Sequence, residues 1–496
     1  MSPAHASRAA VRSGPEHRWP VLIVVAAVIV GTAVGLSAQG SPSPASAPAT
    51  PAALVSAPDA ESSAWYCTSQ TTPSGPASGF LVLSNTTTRA VTADVTTVTD
   101  TGATVSAAVP VPAQSVLAPS LPVPSSGSWQ AETVTLDGGG VAVSEAVHGP
   151  AGWSVVPCQS STSAGWYFAS GSTAGSNTLY VSLLNPTSSP VVVDLGFMTP
   201  TGAVHPVNYQ GVVIDPGATL AEDVASEVQN ASLVSTVVTA RTGRVVASEV
   251  QTYAGASAGL SVLQGTNQPE DHWAIPLAQE TPGGGDSEID VFNPGTVPEK
   301  VTVHLRLASG PLAPLADTVA PGGTWALVTS RQTRIPAGAS YSAQVDATGG
   351  PGVVVSRAVV APASATAPQA GVAVAVDGLT SATPANEWIV PPPGTQASPA
   401  VSGVGHDALT MLNVGDARAT FRAYAVAPGT RRLLASGSLA PGGSYIVSGS
   451  TLVNAGFDAI VVHGDGPMAV SEDFTPSGGV GVVGMPGIAL AAPLGF

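Results

Sequence analysis

The sequence predicts an all-β protein: tandem immunoglobulin-like β-sandwich repeats, with a β-propeller as the alternative, following one N-terminal transmembrane helix. Three observations carry this. The 496 residues are 44% hydrophobic but only 9% charged, with 55 Gly and 45 Pro. A typical soluble domain is about 25% charged, so this turn-rich composition argues against coiled coils and Glu/Lys/Leu-surfaced helices. Residues 19–38 form one uncharged apolar run, and from residue 64 a set of strand and turn landmarks recurs four times in the same order.

The charge balance narrows the partners. Net charge is −16; only Glu16 among the acids precedes residue 39, beside Arg8, Arg12 and Arg18, which leaves 30 acids against 12 bases beyond it. Polyanion binding depends on clustered Lys and Arg, so nucleic acid is excluded as a partner. Lys300 is the only lysine in the chain. A phosphate-binding loop ending in Gly-Lys-Ser/Thr is therefore ruled out, and a Schiff base has one candidate.

The first element is the run WPVLIVVAAVIVGTAVGLSA, residues 19–38. At 1.5 Å per residue it covers about 30 Å, one bilayer core, and lipid obliges it to be helical. The basic flank lies on its N-terminal side, which assigns residues 1–18 to the cytoplasm as a short tail and the remainder to the exterior. The alternative is a cleaved signal peptide, whose apolar region is usually about 7–15 residues. Leu36-Ser37-Ala38 is a poor cleavage site because Leu36 is large. Residues 39–63 are rich in Pro, Ala, Ser and Thr; they cannot bury a core and read as a spacer.

The repeat follows, with units over residues 64–162, 163–270, 271–385 and 386–496. Each opens with a Trp (Trp65, Trp166, Trp273, Trp388). An apolar strand then runs to Asn85, Asn185, Asn293 and Asn413, spaced by 100, 108 and 120 residues. A turn Gly comes next (Gly102, Gly202, Gly310, Gly429), then a Pro-started turn at Pro112, Pro216, Pro321 and Pro441. Then comes a strand of one kind in each unit: VAVSE to Glu145, VVASE to Glu249, VVVSR to Arg357 and MAVSE to Glu472. Alternation every second residue gives strands with one buried and one exposed face. Asn is expected to end its strand by tolerating turn geometry. Pro-Gly favours a type II turn. Units of roughly 100–115 residues with seven or eight short strands have the size of an immunoglobulin-like sandwich; a propeller with two four-stranded blades per unit is the rival. The final Ala489-Leu490-Ala491 resembles an opening strand: it either closes a ring or shows that each such strand completes the preceding unit.

Unit two, GWYFASGSTAGSNTLYVSLLNPTSSPVVVDL through GRVVASEVQTY, resembles the W-Y-F…G-S-T…N-P…V-V-A-E repeat of large secreted bacterial proteins. The layout of span, spacer and four units is similar to an actinobacterial family of membrane-anchored proteins of unknown function. The resemblance implies a cell-envelope location outside the cytoplasm and brings no activity, ligand or catalytic residue. Unit three departs from it with Arg357 in place of Glu, and unit four with Asn413-Val414 in place of Asn-Pro.

Cys67 and Cys158 are the only cysteines. They lie in the opening strand of unit one and just after its VAVSE strand. First and last strands of a sandwich can be neighbours, so a disulfide is expected, and the exterior would keep it oxidised. Two Cys without a His-rich neighbourhood make a poor zinc site.

No motif carries catalysis. Gly255-Ala256-Ser257-Ala258-Gly259 matches a nucleophile elbow but sits in a loop between β runs instead of a strand-to-helix turn. Gly479-Val480-Gly481-Val482-Val483-Gly484 matches a dinucleotide fingerprint but precedes Met485-Pro486 instead of a helix. His148, His205, His272, His304, His406 and His463 are scattered along the sequence, with no short metal signature. Asp286, Glu288 and Asp290 alternate on one strand; calcium is one reading, a solvated or edge-protecting face the preferred one. Glu145, Glu249 and Glu472, one per unit, read as structural, because catalytic carboxylates work as unlike pairs in one cleft.

The sequence thus points to a single-pass, N-in membrane protein, or a secreted one if the span is cleaved. It reads as a non-catalytic scaffold or recognition module of the cell envelope, without cofactor or metal, whose partners are the membrane and cell-wall glycan or envelope proteins. An envelope glycan-modifying hydrolase is the alternative. It would require three or more His, Asp or Glu groups converging within about 4–6 Å in a cleft.

Overall fold

The structure is a computed structural model and describes residues 53–73, 75–255, 258–279, 286–336, 338–361, 372–380, 385–395, 408–474 and 483–494. The apolar span at 19–38 and most of the spacer lie outside the described residues, as do Ala256-Ser257, His406 and 479–482. Among the described residues no helix is long and apolar enough to cross a membrane. They belong to one compact unit of the chain, residues 50–496.

The fold is all-β, and the four repeats share one plan. An opener strand (Ser63–Thr71, Gly165–Phe168, His272–Gln279, Glu387–Val390) pairs antiparallel with a late strand (Trp129–Leu136, Ser235–Thr242, Ser340–Thr348, Ala459–Gly464). That strand pairs with an arm strand (Val91–Thr99, Val191–Thr199, Glu299–Leu307, Ala419–Ala427), completing what we call the opener sheet. A second sheet, the Asn sheet, joined to the first in unit one where Thr71 pairs with Ser78, centres on the strand that ends at or just before the landmark Asn (Ser78–Asn85, Thr178–Leu184, Asp286–Phe292, Ala408–Asn413). Its neighbours are the Ser-Glu strand (Val141–Gly149, Val246–Tyr253, Val354–Ala361, Met468–Phe474) and, beyond it, a closing strand (Gly152–Pro157, Gly259–Leu263, Val372–Asp377, Val483–Pro486).

Alternation holds in the arm strands, where Val91–Thr99 and Ala419–Ala427 begin buried, exposed, buried, exposed. It fails in the Ser-Glu strands: residues 141–147 and 246–251 are buried at every position. Both faces of the Asn sheet are covered, so these strands read as continuous apolar runs. One face meets the opener sheet of its own unit. The other meets the opener sheet of the preceding unit: Tyr66, Val98 and Ala131 lie on Leu184 and Val246, and Tyr167, Met198 and Val237 on Phe292 and Val354. Ala274 and Leu379 lie on Leu412 and Ala469. The series continues from unit four to unit one, where Ile389 and Val461 join the core that holds Leu81 and Leu83. The closing strands follow the same cyclic order. Gly152–Pro157 lies against Gly259–Leu263 and Val483–Pro486, and Val372–Asp377 lies against the same two strands.

The chain returns after each closing strand to its own opener: Gln159 bridges Tyr66, Thr266 bridges Tyr167, Thr380 pairs with Trp273 and Ala489 with Trp388. The final segment is therefore the last strand of unit four, whereas each opener pairs within its own unit and does not complete the preceding one. In unit one this junction also carries the Cys67–Cys158 disulfide, with Cα atoms 4.8 Å apart and both residues fully buried. Beside Ile488–Leu490 lies Leu54–Val55, paired in parallel (Leu54 with Ala489, Val55 with Leu490), so the first and last described segments meet in one sheet.

The landmark Asn residues act through their side chains. None of the four has a positive φ; among described non-Gly residues only Gln114 and Asn230 do. Each Asn is buried, and its Nδ2 donates to the carbonyl four residues on: Arg89 and Ser189 at 2.8 Å, Val297 at 2.8 Å, Ala417 at 2.7 Å. Nδ2 also donates to the carbonyl of Pro112, Ile214, Val319 or Leu439, at 3.0, 3.0, 3.0 and 3.1 Å, while Oδ1 accepts the amide two residues on. One amide thus ties three backbone segments whose polar groups sit away from water. Against it stands the Pro-Gly turn, with Gly217, Gly322 and Gly442 at φ of 69°, 66° and 65°. In unit one Gln114 takes the glycine's place at φ 49°.

Candidate binding cleft

The sequence-derived candidates separate into buried and exposed groups. Glu145, Glu249 and Glu472 are all buried, at 0–1% exposure, and the partners of Glu145 join units. Glu145 accepts the Ser69 amide at 3.3 Å and Nε2 of Gln264, from unit two, at 3.0 Å. Burial pushes its carboxyl above the ordinary range, against hydrogen bonds that pull it down. Nearby Glu132 is pushed up strongly by burial and by the Glu145 charge. Arg357, which breaks the Glu pattern in unit three, is matched in unit four: its guanidinium grips both Asp473 oxygens at 3.2 Å and donates to the Leu277 carbonyl. Asp473 stands where the other units have Ala146, Val250 and Ala358.

Asp290 corrects the surface-face reading of the unit-three acids. It is fully buried, accepts a hydrogen bond from Ser170 of unit two, and its carboxyl is held well above the ordinary range by burial and then by the charge of Glu288. Alternation put it on an exposed face; the two-sided cover of the Asn sheet buries that face.

Two of the scattered histidines converge. His272 (opener), His304 (arm strand) and Asp346 (late strand) share one face of the unit-three opener sheet, because His272 is directly opposite Asp346 and His304 opposite Gln344. Nδ1 of His272 lies 2.7 Å from one Asp346 oxygen and Nε2 of His304 lies 3.1 Å from the other. All three side chains are partly exposed, at 63%, 46% and 43%. They line a cleft of about 580 Å³ between this face and the unit-four turns around Asp416 and Gly442, with Arg306 and Gln344 beside them. Sequence reading missed the grouping because the residues are 32 and 42 positions apart and meet only through sheet register. The repeat held the clue, since register pairs can be copied from one unit to the next.

The two other histidines with ring contacts, His148 and His463, lie elsewhere. His148 stacks near Trp153, with ring centroids 4.7 Å apart, and burial lowers its pKa. His463 contacts Glu387 at 3.0 Å, at the positions that His272 and Asp346 hold in unit three, with acid and base exchanged. Among the described residues no group of three His, Cys, Asp or Glu is arranged to hold a metal ion. The cleft offers hydrogen-bond donors and acceptors in a concave, solvent-reached place, the general character of a ligand site.

No curated protein matches the sequence. Among solved structures, a tetra-tandem repeat in the extending region of a large adhesion protein is similar at 13% identity, over 82% of this chain and 93% of that one, with a TM-score of 0.10. A superposition that loose has no bearing on the fold. The model of a family of unknown function, DUF5719, matches residues 140–431, from the Ser-Glu strand of unit one into unit four. That is more than half of the chain, which therefore belongs to this family.

Proposed function

We propose that this is a non-catalytic recognition or scaffold protein of the cell envelope, displayed outside the cytoplasm on its N-terminal span. In this reading the described sheets form a closed, propeller-like ring, not a string of separate sandwiches. The observation that carries the reading is the joining of first and last segments, Leu54–Val55 on Ile488–Leu490, at the place where the unit-four opener sheet meets unit one. A ring closed in this way holds its loops and clefts in fixed positions, which suits a platform for binding. The apolar run at 19–38, its basic N-terminal flank and the Pro/Ala/Ser spacer support the location.

The test is whole-cell protease accessibility of a C-terminal tag, joined to capture of envelope polysaccharide or envelope proteins by the full-length chain. Surface cleavage and specific capture are the expected results; a tag that protease reaches only after lysis would overturn the reading. A hydrolase acting on envelope glycan is favoured by one observation, the grouping of two imidazoles and a carboxylate in the cleft. Turnover of envelope polysaccharide that disappears in Asp346→Asn would establish it.

A further inference from the structure

Register shows how the cleft arose. The face that unit two turns toward unit three carries Tyr167, Met198 and Val237, and all three pack on its neighbour. The corresponding residues of unit three are Ala274, Arg306 and Gln344: Tyr167 pairs with Val237 as Ala274 pairs with Gln344, and Met198 with Ser235 as Arg306 with Ser342. The same register aligns Gly165, Gly196 and Thr239 with His272, His304 and Asp346. Unit one, with Tyr66 and Val98, closes its junction as unit two does. At the junction of units three and four Arg306 and Gln344 thus replace two of the three apolar residues, Ala274 keeps its packing on Leu412 and Ala469, and a cleft stands open beside it.

We propose that this cleft binds a neutral glycan segment. The inference rests on the recognition reading above and names its ligand class and site. A sugar hydroxyl both donates and accepts, and the cleft offers both roles side by side. Each carboxylate oxygen of Asp346 faces one imidazole nitrogen and keeps lone-pair capacity for a hydroxyl. A neutral imidazole that donates to Asp346 presents an acceptor at its other nitrogen. Arg306 and Gln344 add donors, and Asp416 adds an acceptor on the opposite wall. The formal charges are mixed, with one guanidinium against two carboxylates. A phosphate or polyuronate would meet both carboxylates, and a cationic peptide would meet Arg306. The imidazoles hold the carboxylate in place before the ligand arrives, so less ordering is left to binding.

The test measures binding of the full-length chain to N-acetylchitotetraose, a galactan tetramer, tetragalacturonate and a proline-rich peptide, by calorimetry or saturation-transfer NMR. At least one neutral oligosaccharide should bind, and Asp346→Asn should weaken it tenfold or more. The pair Arg306→Met with Gln344→Val, which restores the unit-two residues, should abolish binding while keeping the thermal transition. His463→Gln, at the unit-four counterpart, should leave binding unchanged. Neutral-glycan binding that survives both the Asp346 and the Arg306/Gln344 changes would overturn the site. Preference for tetragalacturonate or the peptide would overturn the ligand class. In either case, capture of envelope material by the wild-type chain would leave the recognition reading standing; loss of all envelope capture would remove both.

Discussion

Asn293→Ala removes a side chain that makes three hydrogen bonds: Nδ2 to the carbonyls of Val297 and Val319 at 2.8 and 3.0 Å, and Oδ1 from the Gly295 amide at 2.9 Å. A net hydrogen bond stabilises by about 1 kcal/mol, and a buried group left without a partner costs about 1–3 kcal/mol. The Val319 carbonyl is the buried one; Val297 and Gly295 lie near the surface, where water can replace the lost contact. The expected cost is therefore about 3 kcal/mol. Asn293→Asp should cost at least as much, because it sets an oxygen against two carbonyl oxygens. Exposed Asn208, which donates to Glu227 at 2.7 Å, serves as control, and its Ala variant should stay within about 0.5 kcal/mol. Urea unfolding followed by tryptophan fluorescence gives all three values. If both Asn293 variants match the Asn208 control, the clamp holds nothing together and the explanation of the fourfold Asn fails.

Other expectations concern buried charge and the cross-link. Glu132, Glu145 and Asp290 have folded-state pKa values raised by burial, so the stability they contribute is complete below their unfolded values and declines as pH rises through the folded ones. The slope is up to about 1.4 kcal/mol per pH unit per group, and Glu132→Gln should flatten it; a stability gap between variant and wild type that does not change between pH 5 and 8 would refute the assignment. Arg357→Met leaves Asp473 buried without its partner and should cost about 3–5 kcal/mol, whereas adding Asp473→Leu should recover most of it; equal losses in single and double variants would count against a coupled pair. Reducing Cys67–Cys158, which closes a 91-residue separation, should lower stability by about 4–5 kcal/mol in the chain-entropy model, and an unchanged urea midpoint would contradict it.

Much of the fold is legible in the sequence, because the four units write the same landmarks at the same offsets. Trp65, Trp166, Trp273 and Trp388 mark openers, and a β class follows from alternation in strands such as ATFRAYAVA. What alternation cannot report is a sheet covered on both sides. VAVSEAV and VVASEV read as half-exposed strands carrying a polar Ser-Glu pair, yet both are buried throughout. The landmark Asn is visible, but its role is not: a turn former and a buried side-chain clamp leave the same letter in the sequence. Arg357 and Asp473 look like unrelated departures until packing brings them together, 116 residues apart. The cleft was hidden for the same reason, since His272, His304 and Asp346 meet only through strand register.

Small-angle scattering from residues 50–496 tests the ring most directly. A compact body of 447 residues has a radius of gyration of about 22 Å. The closed arrangement predicts a value near that figure, with a pair-distance distribution that is single-peaked and symmetric. A string of four independent domains would roughly double it and stretch the distribution into a long tail, and that result would contradict the account.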